Sequence, residues 1–155
     1  MNYEFTTTTS NPADVMAILA PMMGAIIVGA IIGYIIAVIP MWKQFTKAGE
    51  AGWKALIPIY NTYTAFKLFY KTKMFWAMLI AEFVAGFLTG LVPVLGGIVS
   101  FGVGIFTFIV LILFYIRKAK SFGHSGGFAV GLILLSIIFE YILAFDGSVY
   151  KKIED

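Results

Sequence analysis

Residues 15–41 read VMAILAPMMGAIIVGAIIGYIIAVIPM, 27 positions without a charge. A helix needs roughly 20 apolar residues to cross a bilayer core about 30 Å thick, so this stretch spans one with length to spare. Asn11-Pro12-Ala13-Asp14 just before it predicts a helix start, with Asn11 as N-cap, Pro12 at the first helical position and Asp14 in the first turn. Pro21 and Pro40 are placed to kink the run near its ends. Ala25, Gly29, Gly33 and Ala37 recur every fourth residue. They put four small side chains on one helix face, the pattern that lets helix backbones approach closely in lipid. Residues 1–10 are polar, with Glu4 and four consecutive threonines. They lack the basic opening of a signal peptide and read as a loosely packed tail.

Outward from this run the same chemistry recurs. The 155 residues are 61% hydrophobic and only 12% charged, where soluble domains carry about 25% charge. That leaves too little polar surface to cover a soluble globule, and a bilayer supplies the apolar solvent instead. Three further apolar runs, at about 74–91, 98–116 and 128–145, are separated by the uncharged turn Val92-Pro93-Val94-Leu95-Gly96-Gly97 and the glycine-rich connector Ser121 to Gly127. Ala77, Ala81, Ala85 and Thr89 form a second small stripe. Four spans use about half the chain, so residues 1–155 read as a single membrane domain. The absence of cysteine removes disulfides, thiolate metal sites and a cysteine nucleophile together.

Between the first two runs lies a belt, residues 42–73, unlike the rest. It holds Lys43, Lys47, Lys54, Lys67, Lys71 and Lys73, one acid (Glu50), and Trp42, Phe45, Trp53, Tyr60, Tyr63, Phe66, Phe69 and Tyr70. Basic and aromatic residues beside membrane-length runs mark a segment at the membrane surface. Pro58 interrupts it, Asn61 is placed to cap a helix beginning at Thr62, and Thr62 to Lys71 predicts a short amphipathic helix with Lys67 and Lys71 four apart. The fold expectation is an all-α membrane protein with four transmembrane helices and a cytoplasmic interfacial amphipathic segment. Nine basic residues fall on the belt side, counting Arg117, Lys118 and Lys120, against Lys151 and Lys152 on the other. The excess of lysine and arginine on cytoplasmic loops then predicts a cytoplasmic belt with both termini outside. The net charge of +3 sits beside apolar runs, where anionic lipid explains it better than nucleic acid does.

The strings KAGEAGWKALIPIYN (Lys47 to Asn61), AKSFGHSGGFAVGLILL (Ala119 to Leu135) and ILAFDGSVY (Ile142 to Tyr150) resemble a family of small bacterial membrane proteins of unknown function, DUF5684. The resemblance covers most of Trp42 to Tyr150 outside the second and third spans. It implies a polytopic membrane protein and supplies no catalytic residues. The family commonly has proline near Ser136 and Glu140 and glycine at the place of Asp146, which implies that Glu82 and Glu140 are not family features. Some members are labelled signal peptidase I, but a serine–lysine pair needs both groups together on the outer face. The outer candidates here, Ser10, Ser148, Lys151 and Lys152, have no catalytic domain around them.

Three constellations carry the remaining chemistry. Glu82 and Glu140 lie within apolar spans, with Glu82 on a face with Gly86 and Gly90, and Glu140 on one with Ser136 and Ala144. A carboxylate in the bilayer is costly and marks either a proton or cation site or a hydrogen-bonded glue between helices. No lysine or arginine within the spans is available to pair with either. In the belt, Trp53, Lys54, Tyr60, Asn61, Lys67 and Lys71 form either a platform for anionic lipid or a partner, or simple aromatic anchoring. Lys118, Lys120, His124 and Gly126 at a glycine-opened helix could hold a phosphate, although Gly123 as a C-cap and Ser125 as an N-cap explain the same residues. A lone histidine makes no metal site, and nothing calls for a cofactor.

Two functions remain in view. One is a non-enzymatic membrane interaction protein or subunit that binds its partner through lipid-level surface and the belt, as a homo-oligomer or in a larger complex. The other is a small oligomeric ion- or proton-coupled transporter or channel using Glu82 and Glu140.

Overall fold

A computed structural model describes residues 11–153, apart from the side chain of Asp14. The tail over residues 1–10 and the Asp14 carboxylate in the first turn lie outside the described residues. Six α-helices and one 3-10 turn account for most of the described residues: α1 (Pro12–Lys47), the 3-10 turn (Gly52–Leu56), α2 (Pro58–Phe69), α3 (Thr72–Leu91), α4 (Pro93–Ser121), α5 (Gly126–Leu134) and α6 (Ser136–Phe145). Among the described residues there is no strand. Among the described residues three helices are long and apolar enough to cross a membrane: Val15–Lys47 of α1, α3 and α4.

The chain divides into two compact units, residues 1–37 and 38–155. In the first, α1 starts as the sequence dictates. The Asn11 Oδ1 accepts from the Ala13 N–H at 3.2 Å, Pro12 opens the helix, and the helix runs on through Pro21. The large apolar side chains from Met16 to Ile36 are exposed.

The second unit begins with the last turns of α1, which end in a glycine cap. Gly49 takes φ +80°, the Glu50 N–H reaches the Phe45 carbonyl and the Gly49 N–H that of Thr46. A left-handed residue is what this cap requires, and glycine adopts it without steric cost. The end of α4 repeats the device, with Gly123 at φ +80° and the His124 N–H on the Ala119 carbonyl. Helix α2 begins earlier than the sequence suggests. Pro58 is its first residue rather than a break, because proline's missing N–H and fixed φ suit that position. Tyr70 ends α2 and Lys71 caps α3, so Lys67 and Lys71 do not share a helix. Only Val92 separates α3 from α4, and the hairpin closes tightly. A Cβ on Gly96 would stand 2.2 Å from the Thr89 Cα, and Thr89 and Ser100 hydroxyls meet at 3.2 Å. Of the second small stripe, Ala85 is buried where Thr89 meets α4.

The fourth predicted span is a correction. Residues 128–145 do not form one helix. Leu135 leaves helical geometry (φ −126°, ψ 48°), and α6 folds back on α5. Phe128 and Phe139 pack edge-to-face at 5.0 Å, whereas a straight helix would hold residues eleven apart about 16 Å apart along its axis. Gly131 makes the fold-back possible, since a Cβ there would lie 2.2 Å from the Phe139 ring. Each arm of nine or ten residues is about 15 Å long, half of what a span needs.

The fold-back moves the C-terminal segment. The Tyr150 hydroxyl donates to the Leu68 carbonyl at 2.7 Å and the Lys151 N–H to that of Ser121 at 2.7 Å. The tail therefore lies with the belt, not on the opposite face as the charge count over four spans implies. All eleven basic residues then gather at one end. Beneath them a core of Phe45, Phe66, Phe69, Phe114, Phe122 and Leu143 is buried, with Phe66 stacked on Phe114 at 4.8 Å.

Candidate functional site

The polar groups of this end are organised by α6. Glu140, in the middle of α6, is reached by Lys118 from the last turn of α4, whose Nζ lies 2.6 Å from both carboxylate oxygens. Gln44, near the end of α1, donates through Nε2 to Glu140 Oε2 at 2.6 Å and to its backbone carbonyl at 3.1 Å. Gln44 is fully buried and Lys118 is 4% exposed. The carboxylate predicted to lack a cationic partner therefore has one. Lys118 stands at the end of one apolar run and Glu140 in the middle of the next, and only the fold-back brings them to one depth. The ammonium also lies 5.3 Å from the Phe69 ring centroid, a favourable place for a cation. Two charges buried together in this way roughly cancel their desolvation cost through direct bonds.

A cleft of about 160 Å³ opens beside this triad, with Gln44, Lys118 and Glu140 among its polar lining and Phe66, Phe69 and Phe114 in its walls. The Gln44 Oε1 is buried without a hydrogen-bond partner.

A second cluster clasps the two ends of the folded-back pair. Asp146, just past α6, accepts from Lys47 Nζ at 2.8 Å, from the Ser148 hydroxyl and backbone N–H, and lies 2.7 Å from His124 Nε2. Burial alone would raise its pKa; the hydrogen bonds from Lys47, Ser148 and His124 outweigh it and hold the carboxyl well below the usual carboxylate range. His124 also stacks on Phe128 at 4.0 Å. The phosphate constellation is thereby dissolved. Lys118 is engaged by Glu140 and His124 faces Asp146, while Lys120 and Gly126 are exposed and join neither cluster. Gly123 serves as the cap the sequence suggested, and Ser125 stands at the N-cap position of α5 without a side-chain bond to the helix.

The belt residues are placed by local pairing. Glu50 binds Lys54 and Lys67, the latter at 2.9 Å. Hydrogen bonds from Lys54 and then Lys67 lower the Glu50 pKa, and the bond to Glu50 raises that of Lys54. Tyr60 stacks between Trp53 and Tyr63, at 6.0 and 6.1 Å. Asn61 does not cap a helix at Thr62. It lies within α2, and its Nδ2 donates to the Ala55 carbonyl at 3.2 Å, tying α2 to the 3-10 turn.

Glu82 has different surroundings. It lies in the middle of α3, exposed, and accepts from the Thr107 hydroxyl of α4 at 3.0 Å. Gly86 and Gly90 on its face have nothing within 4 Å of a Cβ position. The cleft that Glu140 lines does not include Glu82. Among the described residues no three His, Asp or Glu side chains gather as metal ligands would. Sequence reasoning missed Gln44, Lys47 and Asp146 as members of these clusters. The one sequence signal was a polar glutamine closing an apolar helix.

A family model matches residues 53–152, from the 3-10 turn through the folded-back pair to the tail. The chain belongs to DUF5684, a family of unknown function. Both clusters join this DUF5684 region to the last turns of α1, which precede it and supply Gln44 and Lys47. No curated protein and no solved structure matches the chain.

Proposed function

We propose that this DUF5684 chain is a non-enzymatic, membrane-embedded interaction subunit that associates with a second copy of itself through the α3–α4 face carrying Glu82. In this reading α1, α3 and α4 cross a bacterial cytoplasmic membrane and the α5–α6 pair enters only part-way. The basic end, with the C-terminal segment, is cytoplasmic, where Trp53, Tyr60 and the lysines meet anionic lipid headgroups. The N-terminus is outside.

The observation that carries the reading is the exposure of Glu82. A charged group at mid-span costs roughly 2.5 kcal/mol or more when it faces lipid, and one hydroxyl offsets little of that. On the same two helices Phe83, Phe87, Phe101 and Phe108 are all exposed, so the hairpin combines apolar area with a carboxylate that wants a second donor. A two-fold contact supplies the same donor and the same aromatic surface from the other copy. The alternative use of the two glutamates as an ion path has less support, because Glu140 is already held by Lys118 and Gln44.

The test uses the absence of native cysteine. Gly86→Cys places a thiol one turn from Glu82. Oxidation in native membranes is expected to give a crosslinked dimer, which Glu82→Leu in the same background weakens. A chain that stays monomeric in membranes and in mild detergent, with no crosslink, would sink the reading. Loss of the dimer in favour of a stoichiometric foreign protein would replace the second copy with another subunit.

A further inference from the structure

Between the first two turns of α2 and those of α3, the basic end carries an apolar groove of about 320 Å³, lined by Ile57, Ile59, Tyr60, Tyr63, Phe75 and Trp76. Packing closes its floor: Phe75 is buried, and the Tyr63 ring meets Phe75 at 5.6 Å and Trp76 at 6.3 Å. Its walls are open, with Ile59 68% and Trp76 50% exposed. An aromatic anchor needs only a ring at headgroup level, not a recess shared by two helices. The rim is basic on both sides. On the α2 side the Lys54 Nζ lies 5.9 Å from the Tyr60 ring centroid. Lys54 and Lys67 share one acid, Glu50, so this group keeps one net positive charge. On the α3 side Lys73 is exposed and stands three residues before Trp76, as its neighbour on the helix surface. With α3 crossing the membrane as proposed, Lys73 lies about 4.5 Å nearer the cytoplasm than Trp76 does.

Positive charge above an apolar recess selects the occupant. A second copy seated here would bring two basic rims together, and like charges across an interface oppose association. An anionic phospholipid matches both parts: lysines attract its phosphate, and an acyl chain fills the recess. An apolar cavity of about 150 Å³ holds the six carbons of benzene, so the groove takes about a dozen, the better part of one chain. We infer that the groove is a site for a single anionic phospholipid, with its phosphate at Lys73 and the Lys54 group and one acyl chain against Tyr63 and Trp76. This rests on the placement of the basic end at the headgroups and names the lipid contact made there.

Native mass spectrometry of the full chain in mild detergent, titrated with dioleoylphosphatidylglycerol or dioleoylphosphatidylcholine, separates the charge from the chains, which the two lipids share. The expected result is one phosphatidylglycerol bound saturably, about twentyfold tighter than phosphatidylcholine, from about fivefold for each of the two net positive charges. Lys73→Gln should lower that ratio to about fivefold. Ile59→Ser should weaken both lipids and leave the ratio unchanged. Both side chains are exposed, so neither variant disturbs the core. Equal binding of the two lipids, or binding without saturation, overturns the inference, since an unselective lipid shell gives either. So does a ratio that Lys73→Gln leaves intact, and so does a retained polypeptide that Ile59→Ser releases, which would give the groove to a protein. Labelling of Lys73→Cys in intact vesicles checks the headgroup placement separately: a thiol out of reach of an impermeant maleimide added on both faces breaks that placement, whatever the titration gives. A chain that prefers phosphatidylglycerol yet gives no Gly86→Cys crosslink breaks only the association through Glu82, and one that crosslinks without the preference breaks only the lipid site.

Discussion

Two glutamates in apolar helices meet opposite fates in this chain. Glu140 is drawn into the interior of the basic end, where Lys118 and Gln44 occupy both of its oxygens. Glu82 is left on the outside of the α3–α4 hairpin with one threonine hydroxyl. The difference does not lie in the residues beside them, since both helices are rich in leucine, isoleucine and phenylalanine. It lies in whether a neighbouring element ends at the same depth. The last turn of α4 brings a lysine to Glu140, whereas the middle of α4 offers Glu82 only Thr107. A charge within an apolar helix is thus explained by where the next helix stops.

The contrast predicts unequal costs. Glu140→Leu leaves Lys118 buried and unpaired and should destabilise the fold by about 3–5 kcal/mol in reversible unfolding from detergent. Replacing both partners, Lys118→Met with Glu140→Leu, should recover most of that loss. If Glu140→Leu costs no more than Glu82→Leu, the distinction between the two sites collapses. Next in size is the fold-back that creates the Glu140 site. Gly131→Val puts a branched Cβ against the Phe139 ring, 2.2 Å from its nearest atom, and should cost about 2 kcal/mol. The variant should also open the α5–α6 pair, read as faster proteolysis near Leu135.

The long apolar helices were plain in the sequence because runs of 18 to 27 residues with at most one charge leave few alternatives in water or lipid. The cap at Asn11 and Pro12, the glycine at 123 and the family strings were equally legible. What the sequence concealed was the bend at Leu135. Residues 128–145 have the length and hydropathy of a span, and neither Leu135 nor Ser136 announces a break. The bend depends on Gly131 accepting Phe139 against its backbone, a contact between α5 and α6 that no window of hydropathy reports. Everything downstream of that error inherited it: the side assigned to the tail, the missing partner for Glu140 and the phosphate reading of Lys118. Pro58 misled for a smaller reason, since a proline within an apolar stretch marks a helix start as readily as a break.

The clasp sharpens the same comparison through pH. The carboxyl of Asp146 has a lowered pKa in the folded chain, so its stabilisation is present above the ordinary carboxylate pKa of about 3.9 and fades as pH falls toward the depressed folded value. Asp146→Asn should cost about 2 kcal/mol at pH 7, the worth of a hydrogen bond to a charged group. Thermal unfolding of the two forms should converge as the pH is lowered through and below about 4. A gap that stays constant to the lowest pH would show that the charge is not what stabilises the clasp. Tyr150→Phe removes one neutral hydrogen bond, to the Leu68 carbonyl, and should cost about 1 kcal/mol. The smallest effect belongs to the other side of the comparison. Glu82→Leu should change the stability of the isolated chain by less than about 0.5 kcal/mol while weakening association, as seen by crosslinking.

The bonds of the clasp also set an order of events. Lys47 and Asp146 are 99 positions apart, and Gln44 and Glu140 are 96 apart. A chain made from its N-terminus exposes both early partners long before the late ones exist. Helices α1 to α4 can form while Gln44, Lys47 and Lys118 still lack their acceptors. The basic end is therefore the last part to close, and a ribosome that stops short of Glu140 leaves Gln44, Lys47 and Lys118 all without their acceptors.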